Sequence, residues 1–384
     1  MKQELLNMLN DVVLGAVNRV IAELESGDPE RIDHVRREME NLCYIRDQEP
    51  SPDDYSDPVF CDLYLTRFGY AYAFEYSVIY DAIIRSYSAI EQARNDKPVL
   101  GVSTLACGTM IDAWGLAYAL ACIKENGIQE LQDDIELSYH GEDMTRWSYL
   151  FAGNRDGDQT LNSCFSRIPS TRDLNIGTDE FLRRVEDGEY KNYHWLNVMS
   201  FAKFLGELPE AVVCNIEDAI HEAIEHGCFV GEDMNNRKEY FICISHSAST
   251  VNNGGDDRHL SEVASRIINA LNVNNDFEVD PCVMDISPYC NRQNSYGDDV
   301  GLVCTDEDIP MYGFAQTIRF PDKTLGAKIS YLNPDFGNEE VDQLVDRLWE
   351  LFEQNGINTA RKPISRAHYF KFQVIKLTRR QGNN

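Results

Sequence analysis

Apolar residues recur at Leu5, Leu9, Val12, Val13, Ala16, Val17, Val20 and Leu24, the spacing of one helical face. An amphipathic helix is predicted over 1–26, and the acids scattered through it argue against a signal peptide or a membrane span. A second helix is predicted over 29–47, a loop over 48–58 and a long helix over 60–93. In this last segment Phe68, Tyr72, Tyr76 and Tyr80 fall four apart and line one face with rings. Alternation of Tyr70, Tyr72, Phe74 and Tyr76 also fits a strand, but the apolar pattern continues through Ile79, Ile83 and Ile84, longer than strands run.

From residue 98 onward, β-branched runs alternate with helical patterns. Strands are predicted at 99–105, 135–140, 197–201 and 239–247, with helices at 112–125, 208–227 and 257–272. An irregular region reaches to about 325, and its acid-rich run at 297–310 reads as a solvated loop. A helix at 338–356 and an alternating strand at 367–380 complete the pattern. Strands alternating with helices predict an α/β fold with a doubly wound, mostly parallel sheet. The expected organisation is an N-terminal helical layer over 1–95 and a sheet domain over 96–384 with an insertion around 275–365.

With 384 residues, 43% of them hydrophobic, the chain buries a sizeable core. Its 35 basic and 64 acidic residues leave a formal charge of −29, a field that repels polyphosphates and makes nucleic acid an unfit partner. The 11 cysteines include no C-x-x-C pair, and Cys107, Cys122, Cys214 and Cys243 sit in apolar runs. Free thiols in a reducing cytoplasm are expected. Outside the first helix no apolar run approaches the ~18 residues that cross a bilayer, so no membrane partner is expected.

Several chemistries fail on spacing. His221 and His226 stand five apart, where a zinc helix needs four, so no metal is expected there. Ser245 and His246 are adjacent, which points them to opposite faces of a strand. The Asn333 to Phe336 stretch reads as a proline-containing turn.

The candidate site is the break Ala106-Cys107-Gly108-Thr109 between the strand at 99–105 and the helix at 112–125. A P-loop needs a lysine after its last glycine, and none follows Gly108 before Lys124. A strand, a small-residue turn and a helix, followed by a second strand ending in an acid, instead form a general nucleoside-binding arrangement. Asp143 is that acid, with Glu142 the neighbouring alternative.

Here the sequence resembles the class I S-adenosylmethionine-dependent methyltransferases, whose Rossmann-like fold has these elements in this order. "TLACGTMID" resembles their first motif and "YHGEDM" their acid-terminated second strand. "NVMSFAKFLGELPE" is similar to the segment after their fourth strand, and "HYFKFQVIKLTR" resembles their closing strand. Thr104 stands where the family has an acid that meets the methionine amino group, Ala106 replaces the first glycine and Met110 the third. The resemblance implies S-adenosylmethionine as cofactor, approached by the backbone of Ala106, Gly108 and Thr109, with Asp143 on the ribose and Ser200 and Phe201 on the opposite wall. Tyr72 and Tyr76 are candidates to close the pocket, because aromatic faces stabilise a sulfonium. Arg67 and Glu75 either join them or belong to a solvated face. Two functions are expected from this pattern. One is a methyltransferase acting on a small molecule or a protein side chain; the other is a non-catalytic methyltransferase-like scaffold or nucleoside-sensing module.

Overall fold

A computed structural model describes residues 1–43, 55–86, 99–125, 135–143, 147–151, 159–166, 170–173, 183–184, 187, 196–202, 218, 239–248, 277–281, 292–293, 299–300, 303–309, 313–319, 338–357 and 369–379. The helix predicted at 208–227, apart from residue 218, the helix predicted at 257–272, the stretch at 48–54 and the turn at 333–336 lie outside these residues.

Helices α1 (Lys2–Glu25), α2 (Pro29–Cys43) and α3 (Pro58–Ser86) come first. Asp57 starts α3 by accepting the N–H groups of Val59 at 2.8 Å and Phe60 at 3.1 Å, and Pro58 follows it at the position where a missing N–H costs nothing. By length and apolar content alone, α1 is also long enough to cross a membrane; here its residues Leu5, Leu9, Val13, Val17, Val20 and Leu24 are buried in the fold.

Strand β1 (Val99–Leu105) follows, then α4 (Ile111–Glu125), β2 (Glu136–Asp143), the short α5 (Gln159–Ser163), β3 (Ser170–Asp173), β4 (Leu196–Ala202) and β5 (Glu239–Ala248). These strands lie in the order β3-β2-β1-β4-β5 and every neighbouring pair is parallel. β1 and β2 are buried along nearly their whole length, as strands covered on both faces must be. The final strand β11 (Tyr369–Arg379) runs antiparallel beside β5. The fold is thus a doubly wound, mostly parallel α/β sheet with helices before it.

The region expected to be irregular contains β6 (Phe277–Pro281), β7 (Arg292–Gln293), β8 (Asp299–Val300), β9 (Val303–Ile309) and β10 (Gly313–Arg319). This corrects the solvated-loop expectation for 297–310. The acids of β9 mask its pairing signal, and the partner that makes it a strand is supplied by β10, itself paired with β11. β3 is likewise unannounced, being short and held by its register with β2. Helix α6 (Asn338–Gln354) packs near α1, with Arg347 paired to Glu25.

Helix α4 holds the helices to the sheet. Only Cys122, Lys124 and Glu125 along it escape burial, as expected of a helix apolar all round. Gly115 lets α3 come close: a Cβ there would stand 2.6 Å from Tyr76 Cβ and 3.0 Å from the Ser77 nitrogen. Trp114 Nε1 donates to the Leu5 carbonyl at 2.9 Å, fixing α1 to the same helix.

Candidate functional site

β1 is flanked by β2 on one side and β4 on the other, where the strand order reverses direction. Ligands of open α/β sheets bind outside the carboxyl ends of strands at such a point. The turn from Ala106 to Met110 stands there.

Its backbone is unusual. Ala106 has φ 54°, Gly108 φ 54° and Met110 φ 63°, so three alternate residues occupy the left-handed region. For alanine and methionine this conformation costs roughly 1–2 kcal/mol each. Surrounding bonds hold it: Cys107 N–H donates to the Glu142 carbonyl at 3.0 Å, Met110 N–H to the Cys107 carbonyl at 2.9 Å, and Phe151 N–H to the Thr109 carbonyl at 2.9 Å. Gly108 N–H donates to Asp143 Oδ2 at 2.8 Å. Ala106 and Met110 thus adopt a left-handed conformation that glycine accommodates without steric cost.

Asp143 ends β2 at 8% exposure, beside the turn. A carboxylate offers about four lone-pair positions, so it can accept from more than one donor. Glu142 points its side chain to the other face, 3.4 Å from His140 Nε2, and is fully buried. Asp143 is the better-placed acid.

Aromatic rings cover the turn. A Cβ on Gly108 would lie 3.5 Å from Trp147 Cζ2 and 3.9 Å from Tyr64 Oη, both ordinary contacts. Trp147 packs on Tyr64 at 4.7 Å and Tyr55 at 4.8 Å between centroids, and Tyr64 leads to Phe68 at 5.0 Å and Tyr72 at 6.1 Å. Tyr72 continues to Tyr76 at 6.3 Å. Tyr72 is half-buried, whereas Tyr76 is buried against α4. Tyr64 extends the predicted stripe by one further step of four; Trp147 carried no periodic signal. Arg67 stands 5.1 Å over the Phe68 ring, and Glu75 is completely buried, so the solvated-face expectation for it is corrected: the helix packs that side against the fold.

Ser200 and Phe201 are placed differently. Ser200 is in register with Thr104 on β1 but faces Tyr80 and Cys243, and Phe201 is fully buried in β4. Both lie next to the turn's strand; neither is drawn into the ring of residues around Gly108.

Beneath the turn lies Asp112, in the first turn of α4. Its Oδ2 accepts from Thr104 Oγ1 at 2.6 Å and from Tyr80 Oη at 3.4 Å, and its Oδ1 from Tyr139 Oη at 2.7 Å. Burial pushes this carboxyl up to about 6 against the pull of those hydroxyls. Burial also drives the Cys107 thiol in the turn well above its ordinary value, which leaves it protonated and unreactive at neutral pH. Elsewhere, His34, Glu38 and Asp57 bring ligand atoms within 4.8 Å of one another. The 3.0 Å contact of His34 Nε2 with Asp57, itself the cap of α3, accounts for that cluster.

Two buried polar atoms at the turn, Thr109 Oγ1 and Trp147 Nε1, have no hydrogen-bond partner among the described residues. Buried groups of this kind are normally satisfied, so they are positioned for a ligand or water to complete. They stand with the Asp143 carboxylate on the side of the turn that Trp147 and Tyr64 cover.

No family model matches this chain, and no curated protein matches it. Among solved structures it is similar to the plantazolicin methyltransferase BamL, solved with a triazolic desmethylPZN analog and SAH, at 9% identity and a TM-score of 0.34 over 91% of this chain and 99% of that one. It is also similar to loganic acid methyltransferase solved with SAH, at 10% identity and a TM-score of 0.32 over 83% of this chain and 96% of that one. The chain is characterised by its own architecture, a doubly wound α/β sheet whose strained first turn sits at the switch point.

Proposed function

We propose that the chain is an S-adenosylmethionine-dependent methyltransferase acting on a small molecule or a protein side chain. The observation that carries the reading is the turn. Three alternate left-handed residues, two of them not glycine, are held in place at the switch point of the sheet. Strain of this sort persists where the surroundings over-determine it, and it clusters at ligand-binding sites.

The cofactor supplies a methyl group on a positively charged sulfur, a leaving group that needs no acid. The chain's residues bind and orient. The backbone of Ala106, Gly108 and Thr109 would line the methionyl portion, Asp143 would accept the ribose hydroxyls, and Thr109 Oγ1 and Trp147 Nε1 would find partners. Tyr64 and Tyr72 would keep water from the methyl, with Tyr76 behind them. Ser200 and Phe201 would act by supporting β1 from β4. Positioning of this kind supplies most of what methyl transfer requires.

A non-catalytic scaffold or nucleoside-sensing module is the second reading, and one feature favours it. The Trp147 ring already lies over Gly108 within van der Waals contact of any side chain there. Calorimetric titration with S-adenosylhomocysteine separates nucleoside binding from none, and a methyl-transfer assay on bound candidates separates enzyme from sensor.

A further inference from the structure

Asp112 is 1% exposed, and its hydrogen bonds come from Thr104 on β1, Tyr139 on β2 and Tyr80 on α3. All three donors are neutral hydroxyls. Among the described residues no lysine, arginine or histidine pairs with it, and the Ala113 and Asp112 amides add only the pull of a helix N-terminus. A buried anion with no counter-ion costs stability, and such groups are kept where a charge is needed. Thr104, the residue tied to it most tightly, stands two positions before the strained turn at Ala106.

We infer that Asp112 is the counter-charge for the cationic methionyl portion of the ligand, presented through Thr104 from the helix behind the turn. The inference rests on the cofactor reading above. It makes Asp112 a positioning residue: the acid absent from position 104 is supplied by the first turn of α4, and Thr104 carries its hydrogen bond to the strand end.

The test compares two ligands by calorimetry at pH 7.5. S-adenosylhomocysteine carries the ammonium-bearing tail; 5′-methylthioadenosine shares the nucleoside and lacks that tail. Asp112→Asn is expected to weaken the first at least tenfold and the second by no more than twofold. Adding Thr104→Asp to Asp112→Asn is expected to recover most of the lost affinity. Equal weakening of both ligands means a structural role only and overturns the inference, as does no weakening of either. A wild-type protein that binds neither ligand fails the cofactor reading itself.

A second arm needs no variant. Tyr76 and Tyr80 from α3, Tyr139 from β2, Cys107 from the turn and Cys243 from β5 all couple to Asp112, and burial raises every one of them, so they stay neutral at pH 5–7. Asp143 and Glu142 also bear on Cys107; Asp143 would act on the nucleoside common to both ligands, while Glu142 lies on the other face beside His140. The wild-type preference for the tailed ligand is expected to fall several-fold between pH 7 and pH 5. An unchanged preference overturns the inference.

Discussion

The main-chain N–H of Gly108 donates to Asp143 Oδ2 at 2.8 Å, joining the turn after β1 to the last residue of β2. The bond fixes the turn's conformation and the acid's position together, so a change at either end acts on both.

Gly108→Ala tests the backbone. At φ 54° the cost is conformational, since the added Cβ meets nothing closer than 3.5 Å. A loss of about 1–2 kcal/mol in urea denaturation is expected, and a larger one for Gly108→Val, whose branched side chain also crowds Trp147. Unchanged stability in both variants would contradict a left-handed residue at this position.

Ala106→Gly should act in the opposite direction. Relief of left-handed strain, about 1–2 kcal/mol, exceeds the entropy that glycine adds to the unfolded chain, about 0.4–1 kcal/mol. The variant is expected to match or exceed wild-type stability by up to about 1 kcal/mol. A clear loss would place Ala106 in an ordinary turn.

Gly115→Ala probes the contact between α3 and α4. The new methyl would fall 2.6 Å from Tyr76 Cβ, and backbone on both sides leaves little room to yield. Destabilisation of about 1–3 kcal/mol is expected, with altered fluorescence from Trp114 on the same helix. Wild-type denaturation and spectra would show that the helices do not meet here.

The Asp112 carboxyl protonates more readily in the folded chain, at about 6 against an ordinary 3.8. The folded state therefore holds the extra proton between those values, and stability falls as pH rises through them. Asp112→Asn, which does not titrate, should equal the wild type near pH 4 and exceed it at pH 7.5 by as much as about 3 kcal/mol. Greater wild-type stability at pH 7.5 would mean that the charged form is the structural one.

Much of this arrangement is legible in the residues. The run Val99–Leu105, the small residues after it and Asp143 at the end of the next strand place the turn correctly, because period and punctuation are local signals. What Ala106 and Met110 do is not legible: their φ values are set with bonds to Glu142, Asp143 and Phe151, and sequence alone reports only an alanine and a methionine there. Asp112 is hidden for the same reason, since Tyr80, Thr104 and Tyr139 reach it from three different elements. β9 is concealed by its own acids, which an antiparallel partner tolerates and a composition reading does not.

The account depends on the turn and Asp143 binding a nucleoside, and one measurement bears on it most directly. S-adenosylhomocysteine is titrated calorimetrically into the wild type and into Asp143→Ala, with circular dichroism to confirm that both are folded. Wild-type binding tighter than ~100 µM, weakened roughly tenfold to a hundredfold in the variant through loss of charge-assisted hydrogen bonds worth ~1.5–3 kcal/mol, is the predicted result. Absence of binding by the wild type, or equal binding by both proteins, would contradict it.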